Sequence, residues 1–228
     1  MNDSSYTLIV KFRERGQKMG TLSRDCVVTS EKELESLCVA ANTDIETLYL
    51  CSSLKSTLGL ERLIAPNLRS IEIRVVKDLE VTCLFGDSYI IESNIRFSND
   101  ADFSKLHRLS LTRSTIENTD KLYTASSLKA LDIFYQDPRY ELGLKIRNFE
   151  NLCEVSVSDP DTLISLGNCD SVTTIRIDGN PFRISSHERV ERSKHNSTLQ
   201  YVIAEKWYPN LKEVRGVCNG MNTIHPVT

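Results

Sequence analysis

A short phrase of apolar residues returns along this chain and limits the folds that the chain can adopt. Each copy has an apolar residue, two variable residues, and then two apolar residues separated by one. Six clear copies occupy residues 45–50, 68–73, 106–111, 128–133, 152–157 and 172–177, and residues 211–214 form a weaker seventh. The second apolar residue of each clear copy, which we call its marker, is in turn Leu48, Ile71, Leu109, Leu131, Val155 and Ile175.

The spacing of the markers indicates short coils of similar length. Successive markers are 23, 38, 22, 24 and 20 residues apart. Four of these five steps fall within the period of about 20 to 29 residues that suits one strand and one return segment. The long step crosses residues 75–106, where Ile90, Ile91, Ile95 and Phe97 would supply either a further coil or a hairpin insertion.

Each copy ends in an alternation of apolar and variable residues that predicts a short β-strand. In such a strand Leu48 and Leu50 point to one side and Tyr49 to the other. A single strand of this length cannot bury its apolar side alone. We therefore expect the strands to stack as a parallel sheet, with the intervening segments packed along the opposite side of the core.

The copy around Ile175 carries the most specific pattern. Residues 172–182, with Val172, Ile175, Ile177, Asn180 and Phe182 at the fixed positions, resemble the leucine-rich-repeat phrase L-x-x-L-x-L-x-x-N-x-F. The resemblance covers roughly residues 45–217. It implies an α/β leucine-rich-repeat solenoid, with a parallel β-sheet on the concave side and helices, 3-10 turns or loops on the convex side. It also implies that Asn180 hydrogen-bonds backbone groups of neighbouring coils, and the other copies lack this asparagine.

The segments outside the repeats are predicted to close the two ends of the core, as stacked repeats require. Residues 1–44 are expected to form an N-terminal cap, with strands near residues 6–12 and 26–29. Ser30 and Glu33 have the spacing of a capping box, which predicts a helix carrying Leu34, Leu37 and Cys38. Residues 45–182 are the predicted repeats, and residues 183–228 a C-terminal cap that finishes in a loose tail at 219–228. Since no linker divides the chain, we expect one structural domain.

The residues that usually carry chemistry do not form a recognised pattern. None of the four histidines has a metal-ligand spacing, and the seven cysteines are scattered without a C-x-x-C pair. Phosphate-binding glycine loops and a hydrolase elbow are missing from the sequence. Cys51 and Cys153 are interpreted as buried, inert thiols. We expect no enzyme activity, no cofactor and no metal site.

Charge and hydropathy narrow the expected partners and location. The chain has 28 basic and 31 acidic residues, and its most basic stretch, at 183–194, includes Glu188 and Glu191. Nucleic acid is therefore not an expected partner. The longest apolar run is well short of the about 20 residues of a membrane span, and the N-terminus does not follow the order of a secretory signal. A cytoplasmic or nuclear location, without membrane contact, is expected.

The variable residues between the apolar ones would form a displayed column on the sheet. From this column and its neighbour we predict a protein-binding site of seven residues, which are Tyr49, Glu72, Arg74, Ser110, Asp132, Phe134 and Arg176. Aromatic and arginine side chains usually anchor protein interfaces. The function expected from the family resemblance is a non-catalytic protein–protein interaction module, an adaptor or regulatory subunit that binds its partner through the concave face.

Two other readings fit the same pattern. Any stacked sheet displays some side chains, so this column equally suits a surface that only keeps the chain soluble. A parallel β-helix enzyme that acts on carbohydrate would also stack short strands at about 20 to 25 residues per coil. Higher helical content would favour the leucine-rich-repeat form over the β-helix.

Overall fold

The computed structural model describes residues 24–39, 41–51, 53–134, 149–158, 170–177, 210–218 and 221–226. These residues form an α/β structure with a mostly parallel β-sheet and few helices. The strands are β1 Asp25–Val28, β2 Thr47–Cys51, β3 Ser70–Arg74, β4 Leu79–Cys83, β5 Gly86–Ile91, β6 Asn94–Asp102, β7 Leu106–Thr112, β8 Thr115–Glu117, β9 Ala130–Phe134, β10 Glu154–Val157, β11 Thr174–Ile177, β12 Glu213–Cys218 and β13 Met221–Pro226. Helix α1 spans Glu31–Val39, and 3-10 helices span Leu60–Arg62 and Thr119–Thr124.

Ten strands form the main sheet, in the order β1-β2-β3-β5-β7-β9-β10-β11-β12-β13. Every neighbouring pair is parallel except the last, in which β12 and β13 are antiparallel. The prediction of a loose tail at 219–228 is therefore wrong, because most of that segment is strand β13. The backbone groups of β13 form hydrogen bonds with β12, and the sequence pattern did not reveal this pairing.

The markers lie side by side across the main sheet. Leu48 is the register partner of Ile71, Leu109 of Leu131, Leu131 of Val155, and Val155 of Ile175. All six markers are fully buried. The weaker seventh copy continues the series, since Val214 is the partner of Ile175.

Strand β5 accounts for the long step between Ile71 and Leu109. It lies between β3 and β7 and is parallel to both, so a further strand of the main sheet is present and not a hairpin insertion. Ser88 takes the marker position there and is fully buried, with its hydroxyl donating to the Phe85 carbonyl at 3.2 Å. Gly86 begins the strand with φ 60°, and a Cβ there would lie 2.5 Å from the Arg69 carbonyl oxygen.

A second, three-stranded parallel sheet is formed by β4, β6 and β8. Its alternate residues Val81, Ile95, Phe97 and Ile116 belong to the same apolar core as the markers. The ring of Phe97 packs edge-on against Phe103, with centroids 4.6 Å apart. The sequence predicted only helices, 3-10 turns or loops opposite the main sheet. The structure also has the strands β4, β6 and β8 there, which the sequence did not predict.

Helix α1 begins as the capping pattern predicts. The Ser30 hydroxyl accepts from the Glu33 N–H at 3.4 Å, while the Glu33 carboxylate accepts from the Thr29 N–H at 2.7 Å. The N–H and the hydroxyl of Thr29, which both donate to this carboxylate, hold the pKa of Glu33 below its ordinary value. The helix buries Leu34, Leu37 and Cys38, as expected. No helix among the described residues is long and apolar enough to cross a membrane.

Three successive corners after the strands share one backbone conformation. Val75, Glu92 and Arg113 stand four residues after Ile71, Ser88 and Leu109, and their φ angles are 53°, 50° and 48°. Left-handed backbone costs about 1 kcal/mol or more at a residue other than glycine. Each corner recovers a hydrogen bond, because its N–H donates to the carbonyl that ends the next strand, at 2.9 to 3.2 Å.

Serine hydroxyls tie these corners together. The Ser93 hydroxyl accepts from the Val76 N–H at 3.0 Å, and the Ser114 hydroxyl accepts from the Ser93 N–H at 3.1 Å. Ser93 and Ser114 are buried and stand five residues after their markers, as Asn180 does after Ile175. Serine therefore does at these corners what the resemblance assigned to asparagine.

Asparagines make a second set of contacts in the segments before three strands of the main sheet. Asn67, Asn151 and Asn210 each stand four residues before a marker position. Their side-chain amides donate to the carbonyls of Thr43, Ser126 and Asp170, at 2.5, 2.6 and 2.6 Å. Each of these bonds joins the segment before one strand to the segment before the neighbouring parallel strand.

Candidate functional site

The side of the main sheet that faces away from the core, which we call the displayed face, carries three rows of side chains. The central row follows each marker by one residue and contains Tyr49, Glu72, Tyr89, Ser110, Asp132, Ser156 and Arg176. The first row precedes the markers and contains Thr47, Ser70, Asp87, Arg108, Ala130, Glu154 and Thr174. The third row contains Cys51, Arg74, Ile91, Thr112 and Phe134.

All seven predicted binding residues lie on the displayed face. Tyr49, Glu72 and Phe134 are half-buried, and Arg74 and Arg176 are exposed. Ser110 and Asp132 differ from the expectation of an open column, because they are only 7% and 5% exposed. Short side chains are sheltered when longer ones flank them on neighbouring strands, and sequence spacing alone does not reveal those neighbours.

One cluster on this face joins Tyr49, Glu72 and Arg74. Arg74 Nε donates to Glu72 Oε2 at 2.7 Å, and the guanidinium carbon lies 5.7 Å from the centroid of the Tyr49 ring. Partial burial raises the pKa of Tyr49 above its ordinary value, and the charge of Glu72 adds to this rise. The phenol therefore stays protonated and presents a hydrogen-bond donor beside a positioned guanidinium.

A second cluster is centred on Arg108, a residue that the sequence reasoning did not select. Arg108 Nη1 donates to Asp132 Oδ2 at 2.7 Å, and Nη2 lies 3.7 Å from Glu154 Oε2. Ala130 stands between Arg108 and Glu154 in the first row, so only a methyl group lies beneath the guanidinium. Partial burial lowers the pKa of Arg108, but the Asp132 hydrogen bond and nearby carboxylates raise it more, for a net rise.

Short buried side chains make a low floor in the middle of the displayed face. Ser110, Asp132 and Ser156 are neighbours in the central row on β7, β9 and β10, and each is at most 7% exposed. The longer side chains around this floor are Tyr89, Arg108, Phe134, Glu154 and Arg176. We call the arrangement the Asp132 depression.

The floor contains an unsatisfied acceptor. Asp132 Oδ1 is buried and has no hydrogen-bond partner, although Oδ2 of the same carboxylate is bonded to Arg108. Buried polar atoms are nearly always paired, because an unpaired one loses its bonds to water without replacement. Among the described residues of the displayed face, this oxygen is the buried side-chain atom that a ligand or a solvent molecule would satisfy.

Acidic residues outnumber basic ones in the strands of this face. In the three rows defined above, the acidic residues are Glu72, Asp87, Asp132 and Glu154, and the basic ones are Arg74, Arg108 and Arg176. These negative charges affect Tyr89, whose pKa is raised first by burial and then by the charge of Asp87. Asp132 and Glu72 add to that rise and Arg108 opposes it. The displayed face is thus locally negative.

The thiols fit the interpretation of inert core residues only in part. Cys26, Cys38 and Cys83 are buried, and burial raises the pKa of Cys83 to about 12. Cys51 is half-buried with a pKa that burial also raises, whereas Cys153 is exposed. The prediction of a buried Cys153 is wrong, because it occupies a variable position of the apolar phrase, between buried Leu152 and half-buried Glu154. Within the described ranges, no three histidine, cysteine or acidic side chains are grouped to hold a metal ion.

Several sequence predictions lie outside the described residues. These are the strand near 6–12, the basic stretch at 183–194, and Asn180 and Phe182 of the leucine-rich-repeat phrase. Comparisons with protein-family models, curated proteins and solved structures found no match for this chain. The resemblance to leucine-rich repeats therefore depends on the residues of this chain itself.

Proposed function

We propose that this chain is a non-catalytic protein–protein interaction module, an adaptor or regulatory subunit, that binds its partner on the displayed face. The observation that carries the proposal is the central row. It runs without a break through seven neighbouring parallel strands, from Tyr49 to Arg176. Parallel pairing fixes these side chains about 4.8 Å apart on a backbone that needs little ordering when a partner binds.

The fold that we propose for the module is an irregular leucine-rich-repeat solenoid. Three features support it beyond the register of the markers. The corners after β3, β5 and β7 each contain one residue in the left-handed conformation, and serine hydroxyls link those corners. Asparagine side chains also link segments that precede neighbouring strands. Nearest-neighbour contacts of this kind are how stacked coils hold together.

The side chains of the displayed face suit a protein partner. Tyr49, Tyr89 and Phe134 present aromatic surface, and Arg74 and Arg176 reach into solvent. Tyrosine and arginine are among the residues that most often dominate binding energy, since each combines a large contact area with a polar group. The clusters around Glu72 and Arg108 restrain their neighbours before binding, which lowers the entropy cost of complex formation.

Capture of proteins from a cell lysate by three forms of the full chain tests the proposal. The displayed-face variant combines Tyr49→Ala, Phe134→Ala and Arg176→Ala. The control combines Lys77→Ala, Arg96→Ala and Glu117→Ala, which are exposed residues outside the main sheet. Proteins captured by the wild type and the control should be lost at least tenfold from the displayed-face variant, because anchor residues contribute about 2 kcal/mol or more each.

Two results would count against a binding role for this face. One is an unchanged set of captured proteins in the displayed-face variant, as measured by quantitative mass spectrometry. The other is a similar loss from both variants. Thermal unfolding of the three forms, followed by circular dichroism, should agree within a few degrees, which separates lost binding from lost folding.

The second sheet favours the alternative of a parallel β-helix, since β4, β6 and β8 add a parallel sheet opposite the first. The corresponding function is an enzyme that acts on carbohydrate through paired carboxylates. Asp132 and Glu154, on neighbouring strands, are such candidates, but both already contact Arg108. Release of reducing ends from a polysaccharide panel, abolished by Asp132→Asn, would replace the binding proposal.

A further inference from the structure

We propose that the Asp132 depression receives a cationic side chain, lysine or arginine, from the protein partner. This inference rests on the proposed function and adds the chemistry of the partner to it. It depends on three properties of the depression, which are its unsatisfied oxygen, its shape and its charge.

The unsatisfied oxygen defines what the ligand must supply. Asp132 Oδ1 is buried without a partner and can only accept a hydrogen bond while the carboxylate is charged. Its neighbours Ser110 and Ser156 carry hydroxyls that can accept as well. A group with several N–H donors therefore matches the floor, and ammonium and guanidinium groups are the side chains that offer them.

The short floor residues limit the size of the ligand that the depression would receive. Ser110 and Ser156 stand on the strands on either side of Asp132, so the floor spans about two strand spacings, or roughly 10 Å. Ala130 keeps the adjacent position in the first row equally low. Oδ1 itself is covered, so access requires a side chain at the rim to turn away. Arg176 suits this movement, because it is exposed and its turning leaves the Arg108–Asp132 hydrogen bond in place.

Charge complementarity selects a cation over an anion. Of the charged side chains in and around the depression, Asp87, Asp132 and Glu154 are acidic and Arg108 and Arg176 are basic, which leaves one excess negative charge. An incoming carboxylate or phosphate would meet this excess charge and find Arg108 already paired. An incoming cation would neutralise it. Tyr89 and Phe134 at the rim add aromatic surface, which attracts cations.

Selection from a library of random 12-residue peptides, displayed on phage and bound to the full chain, tests the inference. Enriched peptides should be rich in lysine or arginine. Their affinity should fall at least tenfold for Asp132→Asn, because this isosteric change removes the negative charge that the cation meets. Asp100→Asn is the matched control, since it removes the same charge from an exposed position on β6, and it should change affinity less than twofold.

Glu154→Gln gives an independent readout if Asp132→Asn lowers the yield of folded protein. It removes a charge at the half-buried rim, and we expect a loss of about threefold to tenfold. Raising the salt concentration should weaken binding by the wild type more than binding by either depression variant. Equal affinity for the wild type and both variants would overturn the inference.

The composition of the selected peptides separates this inference from the proposed function. Acidic or uncharged peptides that lose affinity for the displayed-face variant would overturn the cation site and leave protein binding by this face intact. Failure to enrich any peptide would also overturn the inference, while lysate capture would still decide the proposed function. Basic peptides whose affinity depends on Asp132 would support both.

Discussion

Ser114→Ala is the substitution that most sharply probes how the corners after neighbouring strands are joined. Ser114 is 2% exposed, and its single hydroxyl proton can be donated to the Thr112 carbonyl at 2.8 Å or to the Ile90 carbonyl at 3.1 Å. The same oxygen accepts from the Ser93 N–H at 3.1 Å. Alanine fits the space but leaves that buried N–H without an acceptor.

The expected cost follows from the lost partner of the Ser93 amide. A buried donor that is left unsatisfied costs about 1 to 3 kcal/mol, so we expect the free energy of unfolding to fall by about 2 kcal/mol. For a chain of this size that corresponds to a drop in Tm of roughly 4 to 8 °C. Urea denaturation gives the free energy, and hydrogen exchange of the Ser93 amide gives a local readout, which should become faster.

Ser126→Ala is the matched control, because Ser126 is exposed and its contact with Asn151 uses the backbone carbonyl. We expect it to change stability by no more than about 0.5 kcal/mol. If Ser114→Ala costs no more than this control, or if exchange of the Ser93 amide is unchanged, the serine hydroxyls do not hold the corners together.

Three further predictions follow from single contacts. Asn151→Ala should lower the free energy of unfolding, measured in urea, by about 1 kcal/mol, since it removes the hydrogen bond from the Asn151 side-chain amide to the Ser126 carbonyl. Glu33→Gln should cost about 0.5 kcal/mol at neutral pH relative to Glu35→Gln. Because the folded-state pKa of Glu33 is lowered, its stabilisation is present above the ordinary carboxyl pKa and is lost as the pH falls through the folded-state value, so the two variants should converge in acid. Iodoacetamide should label exposed Cys153 in the folded chain, whereas Cys83, with a pKa of about 12, should react only after unfolding, as read by site-resolved mass spectrometry.

The apolar phrase was enough to predict most strands of the main sheet. Leu48, Leu131 and Ile175 each fall in a strand and face the core, because alternation and burial are local consequences of the sequence. Strand β5 was missed as a clear copy because Ser88 stands at the marker position. Its hydroxyl is satisfied by a nearby carbonyl, so a polar residue occupies a core position at little cost.

The sequence predicted which face of the sheet carries the candidate site, but it did not predict how deeply the site residues are buried. Alternation placed Tyr49 and Asp132 correctly on the displayed face. The burial of Asp132 depends on Arg108, which is 24 residues away in sequence and hydrogen-bonded to it in space. Such a contact follows from the register of neighbouring strands. Tyr89 was not among the predicted binding residues, because it joins the central row only when β5 is recognised as a strand.

Photo-crosslinking from single positions tests most directly whether the displayed face binds a protein. With p-benzoylphenylalanine in place of Phe134, irradiation in lysate should join the chain to a partner. With the same group in place of Arg96, an exposed residue of β6, it should not. Crosslinks from position 134 alone are the predicted result, whereas equal crosslinking from both positions, or crosslinking from position 96 alone, would contradict a binding site on the displayed face.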